Sequence, residues 1–109
     1  TSLPAREILK MATSVPGNYL WDGAIGEIEE GGIADLILID ISKTNLTPAF
    51  SLESNLTYAT YGNEVDTVIV DGKIIMENNK ILSFDEELIR KEARKQAERI
   101  TGKKVFLNE

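Results

Sequence analysis

The chain has 109 residues and contains neither histidine nor cysteine. These absences exclude the usual zinc, copper and haem ligands, as well as catalytic sets built on Ser/His or Cys/His. The formal net charge of −6 has the wrong sign for holding a phosphate backbone, so we expect no nucleic-acid partner. Because ~100 to 200 residues make one domain, we expect one compact domain or part of a larger one.

The location of the protein is predicted from the absence of targeting segments. No apolar run approaches the ~18 to 20 residues that span a bilayer, and no signal-peptide pattern precedes the first helix. Without cysteines there is no disulfide framework to indicate secretion, so we expect a cytoplasmic location and no membrane partner. The chain starts at Thr1, which leaves open both a native start and a boundary inside a longer protein.

The first predicted element is a short amphipathic helix over residues 3–13. Its apolar residues recur at the spacing of one helix face: Ala5, Ile8, Leu9 and Ala12. Pro16 and Gly17 should end this helix. We expect a turn-rich connection over residues 18–24, with Trp21 as a packing residue.

Two strands are predicted next. Residues 25–30 indicate a short edge strand, and Gly31 with Gly32 allows a tight turn after it. The following segment, IADLILIDI at 33–41, is a nearly continuous apolar run with β-branched residues. Such a run is typical of a strand that is buried on both faces.

Residues 42–62 predict a long connection with one helical turn, because they show no sustained period and contain Pro48. A loop of this length either covers something or packs on a surface outside this chain. Asn45 and Asn55 each begin a match to the N-glycosylation pattern. Without a secretory signal, we interpret these matches as coincidental.

A three-stranded meander is the clearest local structure in the chain. Asp71-Gly72 lies between the β-branched runs VDTVIV and KIIM, which is the pattern of a type I′ hairpin. Asn78-Asn79 predicts a second turn, because asparagine tolerates the left-handed region, and a short strand should follow at 80–82.

The last predicted element is a helix that begins at a capping box, Ser83 to Glu86, and ends just before Gly102. Its narrow apolar stripe consists of Leu88, Ile89, Ala93, Ala97 and Ile100. We interpret its charged face as solvated and expect the apolar tail 105–107 to dock back on the chain.

Several of these segments, in this order, resemble the C-terminal part of amidohydrolase-superfamily enzymes. The matching segments are MATSVPGNYLW (11–21), IGEIEEGGIADLILID (25–40), NLTP (45–48), VDTVIVDGKIIMEN (65–78) and the closing helix. The resemblance is to 5-methylthioadenosine/S-adenosylhomocysteine deaminases and to chlorohydrolase-like cytosine and guanine deaminases. It covers nearly the whole chain and is specific for the superfamily rather than for one substrate.

The resemblance implies an α+β fold: a partial β-sandwich, the composite domain of metallo-dependent hydrolases, with a short N-terminal helix and a longer C-terminal helix. Residues 1–24 would be the helix and connection from the end of a missing barrel. Residues 25–109 would be the C-terminal part of the sandwich domain with its closing helix. A complete (β/α)8 barrel needs ~200 residues or more, so none is expected here.

The resemblance also implies where the chemistry lies. In the family, an HxH pair, two further histidines and an aspartate on barrel strands hold one or two metal ions, and zinc or iron is implied for the parent enzyme. None of these residues can be carried over, so we expect no catalytic, cofactor-binding or metal-binding residue in this chain, and no cofactor. Asp35, Asp40, Asp66 and Asp71 belong to sandwich motifs and are not the metal aspartate.

Two function hypotheses therefore remain. In the first, the chain is a non-catalytic C-terminal part of a metal-dependent amidohydrolase that hydrolyses C–N or C–Cl bonds, for example by deaminating purines, pyrimidines or nucleosides. Its expected partners are the missing N-terminal strands and barrel, with a contact between two copies as a further expectation. In the second, it is a stand-alone non-enzymatic β-domain that associates through its strand edges. A small metal-binding or phosphate-binding domain is disfavoured because no EF-hand, Walker A or GxGxxG pattern occurs.

Overall fold

The computed structural model describes residues 3–48 and 50–104. The helices are α1 (Ala5–Ala12), α2 (Ser14–Trp21), α3 (Leu52–Tyr58) and α4 (Glu86–Thr101), with a 3-10 helix at Thr44–Leu46. The strands are β1 (Leu36–Ile39), β2 (Val65–Val70), β3 (Lys73–Glu77) and β4 (Lys80–Ile81). The predicted α+β class is confirmed, and the described residues form no complete barrel.

The N-terminal helix is confirmed, but the prediction that Pro16 and Gly17 end the helical region is wrong. Both residues lie inside α2, which follows α1 almost directly. The break falls instead at Thr13, whose φ of −128° and ψ of −85° are not helical. Pro16 is tolerated because it occupies the first turn of α2, where its missing N–H has no intrahelical acceptor. Trp21, at the end of α2, is 54% exposed rather than packed.

The edge strand predicted at 25–30 is absent from the described structure. A close backbone crossing takes its place: a Cβ atom built on Gly17 would overlap the carbonyl oxygen of Ile25, and one on Gly26 would overlap that of Thr13. Gly26 also has a φ of +94°, which is incompatible with a regular strand. The two glycines therefore allow α2 and the following loop to touch backbone to backbone.

The sheet has the order β1-β2-β3-β4, and every neighbouring pair is antiparallel. The predicted hairpin is confirmed, since Asp71 and Gly72 have φ angles of +49° and +76°. The second turn is confirmed as well, with φ angles of +50° at Asn78 and +61° at Asn79. The predicted meander is thus present as β2-β3-β4, and β1 extends it on one side.

The prediction of a strand buried on both faces at 33–41 is wrong for this chain. Only Leu36–Ile39 pair as β1, and the side chains of Ile37 and Leu38 are 54% and 55% exposed. The sequence pattern reports which side chains need cover, whereas the described residues leave both faces of β1 partly open. The apolar run therefore forms a strand that the described residues cover only in part.

The long connection is more ordered than predicted, because it contains the 3-10 helix and α3 instead of a single turn. Ser51 caps α3 by accepting a hydrogen bond from Ser54 N. α3 packs against α1, where Arg6 pairs with Glu53 at 3.6 Å. Leu46, 2% exposed, is the only buried apolar side chain in the described part of the chain.

The predicted capping box is wrong by two residues. Asp85 is the N-cap of α4, and its side chain accepts hydrogen bonds from the backbone N–H groups of Glu87 and Leu88. Aspartate caps as well as serine, and Asp85 lies nearer the first helical residue than Ser83 does. The predicted C-terminus is confirmed, because Gly102 adopts a left-handed conformation with φ +66°.

α4 buries none of its residues against the rest of the described chain. Its apolar side chains Leu88, Ile89 and Ile100 are 55%, 50% and 77% exposed. The tail at 105–107, predicted to dock back, lies outside the described residues. In the part of the chain that the structure describes, no helix combines the length and apolar character needed to cross a membrane.

Candidate functional site

The residues of this chain do not fit a zinc or iron centre. Zinc sites use histidine, cysteine and grouped carboxylates. The sequence lacks histidine and cysteine, and residues 3–48 and 50–104 hold no cluster of three or more carboxylates that could bind a metal ion. That the chain carries no catalytic, cofactor-binding or metal-binding residue stays a prediction.

The aspartates of the sandwich motifs make local structural hydrogen bonds. Asp35 Oδ1 accepts from the backbone N–H of Asp71 at 2.8 Å, which ties the start of β1 to the hairpin turn. Asp66 Oδ2 accepts from Thr67 Oγ1 at 2.8 Å. These contacts leave the carboxylates dispersed along the sheet.

Asp40 ends β1 in a tight turn. Its Oδ1 accepts from Ser42 Oγ at 2.6 Å and from Ser42 N at 2.9 Å. The hydroxyl and backbone of Ser42 hold the pKa of the Asp40 carboxyl below its usual value, which outweighs the opposing effect of burial. The backbone N–H of Asp40 donates to Glu64 O at 2.8 Å, so this turn also contacts the start of β2.

Glu64, immediately before β2, is the most buried carboxylate in the described chain, at 1% exposure. Its Oε2 accepts from Gly62 N at 2.8 Å, and both carboxylate oxygens lie 3.1 Å from Tyr61 N. Asn45 Nδ2 donates to Glu64 Oε1 and also to Ala59 O. We call Asn45, Glu64 and these backbone groups the carboxylate clamp, because they hold the two ends of the long connection together.

The surroundings of Glu64 favour its ionised form. Burial raises the pKa of the carboxyl, but hydrogen bonds from the backbone N–H groups of Glu64, Tyr61 and Gly62 and from the Asn45 amide outweigh it. The pKa therefore lies below its ordinary value. An ionised group whose oxygens are occupied by four donors is a structural anchor rather than a proton carrier.

An apolar cleft of about 530 Å³ opens beside the clamp, between the helices and the sheet. Leu9 of α1, Leu56 of α3 and Ile37, Ile39 and Val65 of the sheet line it. A well-packed domain leaves few voids larger than a water molecule. The described residues therefore leave the space between the helical layer and the sheet only partly filled.

The surface of the chain is larger than that of a compact monomer. The chain exposes 9136 Å², compared with about 6000 Å² for a folded protein of this mass. Its radius of gyration is 18.4 Å, compared with about 13 Å for a compact domain of this length. Apolar groups contribute heavily to the excess, since Tyr19, Leu20, Ile28 and Leu38 are all more than half exposed.

β1 also presents a free edge, because β2 is its sole neighbour in the described sheet. Ala34 O accepts from Gly72 N, and Asp40 N donates to Glu64 O, so the segments that flank β1 also bond on the β2 side. The pairing of β1 with β2 shifts register between Leu38 and Ile39. The opposite edge of β1 is where a further strand can pair.

Comparison with known proteins identifies the family. Residues 1–75, more than half of the chain, match the amidohydrolase family. The chain therefore belongs to the amidohydrolase family, and the resemblance seen in the sequence is confirmed.

The similar curated proteins are deaminases. The chain is 43% identical over 103 residues to a 5'-deoxyadenosine deaminase from Methanosarcina acetivorans, covering 94% of this chain and 24% of that protein. It is 48% identical over 100 residues to a 5-methylthioadenosine/S-adenosylhomocysteine deaminase from Caldanaerobacter subterraneus subsp. tengcongensis, covering 91% and 23%. The chain thus spans about a quarter of the length of these relatives and corresponds to a C-terminal part of them.

Several of the similar solved structures contain zinc. An adenosine deaminase from Xanthomonas campestris with bound zinc superposes with a TM-score of 0.82 at 30% identity, covering 94% of this chain and 24% of that protein. A zinc complex of atrazine chlorohydrolase from Arthrobacter aurescens gives a TM-score of 0.73 at 27% identity, covering 87% and 20%. The likeness to both deaminases and chlorohydrolases confirms the predicted breadth of the resemblance.

The sequence did not single out Glu64 as a key residue. Asn45 was noted as a match to the glycosylation pattern and as part of the NLTP segment, and neither observation predicted that its amide belongs to the carboxylate clamp. Asn55 is occupied in the same way, since its Nδ2 donates to Leu46 O at 2.9 Å. The available signal was Gly62 followed two residues later by Glu64, directly before a β-branched strand.

Proposed function

We propose that this chain is a structural, non-catalytic C-terminal part of a metal-dependent amidohydrolase of the deaminase type. The observation that carries the proposal is the uncovered apolar surface, together with a match to only about a quarter of each relative. Burying apolar surface is the main driving force for association. A chain that exposes this much apolar surface is suited to pack against other parts of a larger protein.

The partners of these surfaces are the N-terminal strands and the barrel that the family resemblance implies. The free edge of β1 offers hydrogen bonds to an added strand, and the open faces of β1 offer apolar contact on both sides. The cleft beside the carboxylate clamp would then be filled by side chains from the same added segments. The role of this chain is to complete a sheet and support the catalytic part.

The parent enzyme would hydrolyse an aminated purine, pyrimidine or nucleoside, or a related C–N or C–Cl bond. Zinc is the preferred metal, because several of the similar solved structures contain it; iron is the alternative. Metal-assisted hydrolysis needs ligands that this chain does not supply. Its contribution to the reaction is therefore the stability and placement of the part that does hold the metal.

A segment exchange tests this proposal. The matching segment of the Caldanaerobacter deaminase is replaced by this chain, and deamination of 5-methylthioadenosine, zinc content and melting temperature are measured. We expect a folded, zinc-loaded chimera with kcat/KM within about tenfold of the parent, or ~1.4 kcal/mol of transition-state stabilisation. The same chimera carrying Ile37→Asp should lose folding, zinc and activity together, because the charge lies on a face that must be covered.

Two results would contradict the proposal. The first is a chimera that folds and binds a full complement of zinc but does not turn over, since the native segment would then supply a catalytic or substrate-binding group. The second is a large kcat loss on Asp66→Asn in a chimera with unchanged melting temperature and zinc content, since that carboxylate is assigned a structural role here.

The stand-alone β-domain remains the second candidate, favoured by the free edge of β1. The two candidates differ in the upstream coding sequence and in the mass of the full-length gene product. A barrel with an HxH motif upstream supports the amidohydrolase. A gene product of only about this length that self-associates through β1 supports the stand-alone domain.

A further inference from the structure

The exposed apolar residues of α4 include a seam with the spacing of a coiled coil. Ile89, Ala93, Gln96 and Ile100 follow one another at intervals of four, three and four residues. This alternation is the heptad pattern that places side chains along one line of a helix. Ile89 is 50% exposed and Ile100 77% exposed, so the line is open at both ends.

The charges beside this seam are complementary when two copies of α4 lie antiparallel. Glu92 and Arg99 lie on the same flank, each one position before a seam residue, and both side chains are exposed. In an antiparallel pair, Glu92 of one copy faces Arg99 of the other, and the pairing occurs twice. On the other flank Arg90 faces Ala97, so no like charges meet.

We propose that α4 forms an antiparallel contact with α4 of a second copy, with the seam at its centre and two Glu92–Arg99 pairs along one flank. Ile89 of each copy then packs against Ile100 of the other at the two ends. Ala93 is small enough to let the helices approach closely in the middle. The amides of the two Gln96 residues fall in neighbouring layers and can hydrogen-bond to each other, which fixes the register.

This contact is small, and the association is accordingly concentration-dependent. A helix of 16 residues is about 24 Å long. A contact between two helices of this length buries less area than the interfaces of about 1,600 Å² found in stable complexes. The competing occupant of the seam is another part of the same polypeptide. The flank charges favour the second copy, because they are self-complementary about a two-fold axis.

Sedimentation equilibrium of the full-length gene product over a wide concentration range tests the contact. We expect a reversible dimer, and a rise in Kd of about tenfold for Glu92→Arg or Arg99→Glu, since two attractive pairs become two repulsive ones. The double variant with the two charges exchanged should restore the original Kd to within about twofold. Lys91→Glu on the outer face changes the net charge as much as Arg99→Glu does, and it should leave the Kd unchanged.

Three results would overturn the contact: a monomer at every concentration, a dimer insensitive to both single variants, or a double variant as weak as the singles. The variant Ile100→Lys distinguishes a seam covered by a second copy from a seam covered by another part of the same polypeptide. If it lowers the melting temperature of the monomer and leaves association unchanged, the seam is covered within one polypeptide and the proposal fails. These readouts are independent of deamination and zinc content, so failure here is distinguishable from failure of the proposed function.

Discussion

The side-chain amide of Asn45 donates to the carboxylate of Glu64, which joins the 3-10 helix after β1 to the residue immediately before β2. The same amide nitrogen donates to Ala59 O at 2.7 Å, at the end of α3. Asn45, itself an exposed residue, therefore links the start of the long connection to its end through the buried Glu64 carboxylate. The architecture of the region depends on this polar pair rather than on an apolar core. Among the described residues, Leu46 is the only buried apolar side chain.

Replacing Asn45 should destabilise the protein because it removes a hydrogen-bond donor from the buried Glu64 carboxylate. Asn45→Ala removes one donor from the Glu64 carboxylate and leaves Ala59 O without that hydrogen bond. We expect a loss of ~1 to 3 kcal/mol in the free energy of unfolding, the usual cost of an unsatisfied buried polar group. Urea unfolding of the full-length protein measures it, with the exposed Asn63→Ala as the matched control. Equal losses in the free energy of unfolding for the two variants would show that the carboxylate clamp does not stabilise the protein.

The Glu64 carboxylate should make stability depend on pH in one direction. Its pKa is lower in the folded than in the unfolded chain, so its contribution is present above the unfolded pKa and is lost as the pH falls through the folded pKa. Glu64→Gln removes this contribution and turns an amide N–H₂ toward the donors of Tyr61 and Gly62. The difference in unfolding free energy between wild type and variant should shrink as the pH falls below about 4.3, the ordinary glutamate value.

Unfolding in urea across a series of pH values measures this difference. Glu77→Gln, whose side chain is exposed on β3, reports the general effect of removing one carboxylate. If the difference in unfolding free energy between wild type and Glu64→Gln stays constant down to acid pH, the lost stability comes from packing and not from the carboxylate charge.

The elements that the sequence predicts well are those determined by a few adjacent residues. The hairpin at Asp71-Gly72 and the turn at Asn78-Asn79 need positive φ angles. Aspartate, glycine and asparagine are the residue types that adopt such angles, so the sequence predicts both turns. The glycine after α4 is of the same kind. Such local requirements do not depend on the rest of the enzyme, so they could be recognised from sequence alone.

The features that sequence missed depend on contacts between distant segments. The break at Thr13 and the backbone crossing at Gly17 and Gly26 involve two segments that meet only in the folded chain. The clamp likewise joins Asn45 to Glu64 across 19 positions. The apolar run around β1 predicted burial on both faces, whereas the described residues leave Ile37 and Leu38 more than half exposed.

Gly17→Ala should be destabilising although alanine is the better helix former. The substitution places a methyl group against the carbonyl oxygen of Ile25, which is backbone and cannot swing away. We expect a loss of ~1 to 3 kcal/mol from overpacking, against the ~1 kcal/mol that alanine normally gains over glycine inside a helix. Gly31→Ala is the comparison, because a Cβ there meets nothing within 4 Å and reports only the strain of its positive φ. A more stable Gly17→Ala protein, measured by thermal unfolding, would show that the crossing is looser than described.

The N-cap of α4 gives a test in which sequence and structure make opposite predictions. The capping-box pattern assigns the cap to Ser83, whereas the structure places it at Asp85, which accepts from Glu87 N and Leu88 N at 3.0 and 3.2 Å. Asp85→Ala should therefore cost ~0.5 to 2 kcal/mol of stability, and Ser83→Ala should cost close to nothing. Because aspartate near a helix N-terminus also interacts favourably with the helix dipole, Asp85→Asn should retain the hydrogen bonds and lose only the smaller charge contribution. Thermal unfolding of the three variants in the full-length protein ranks their stabilities. A larger loss for Ser83→Ala than for Asp85→Ala would show that Ser83 is the N-cap, as the capping-box pattern predicts.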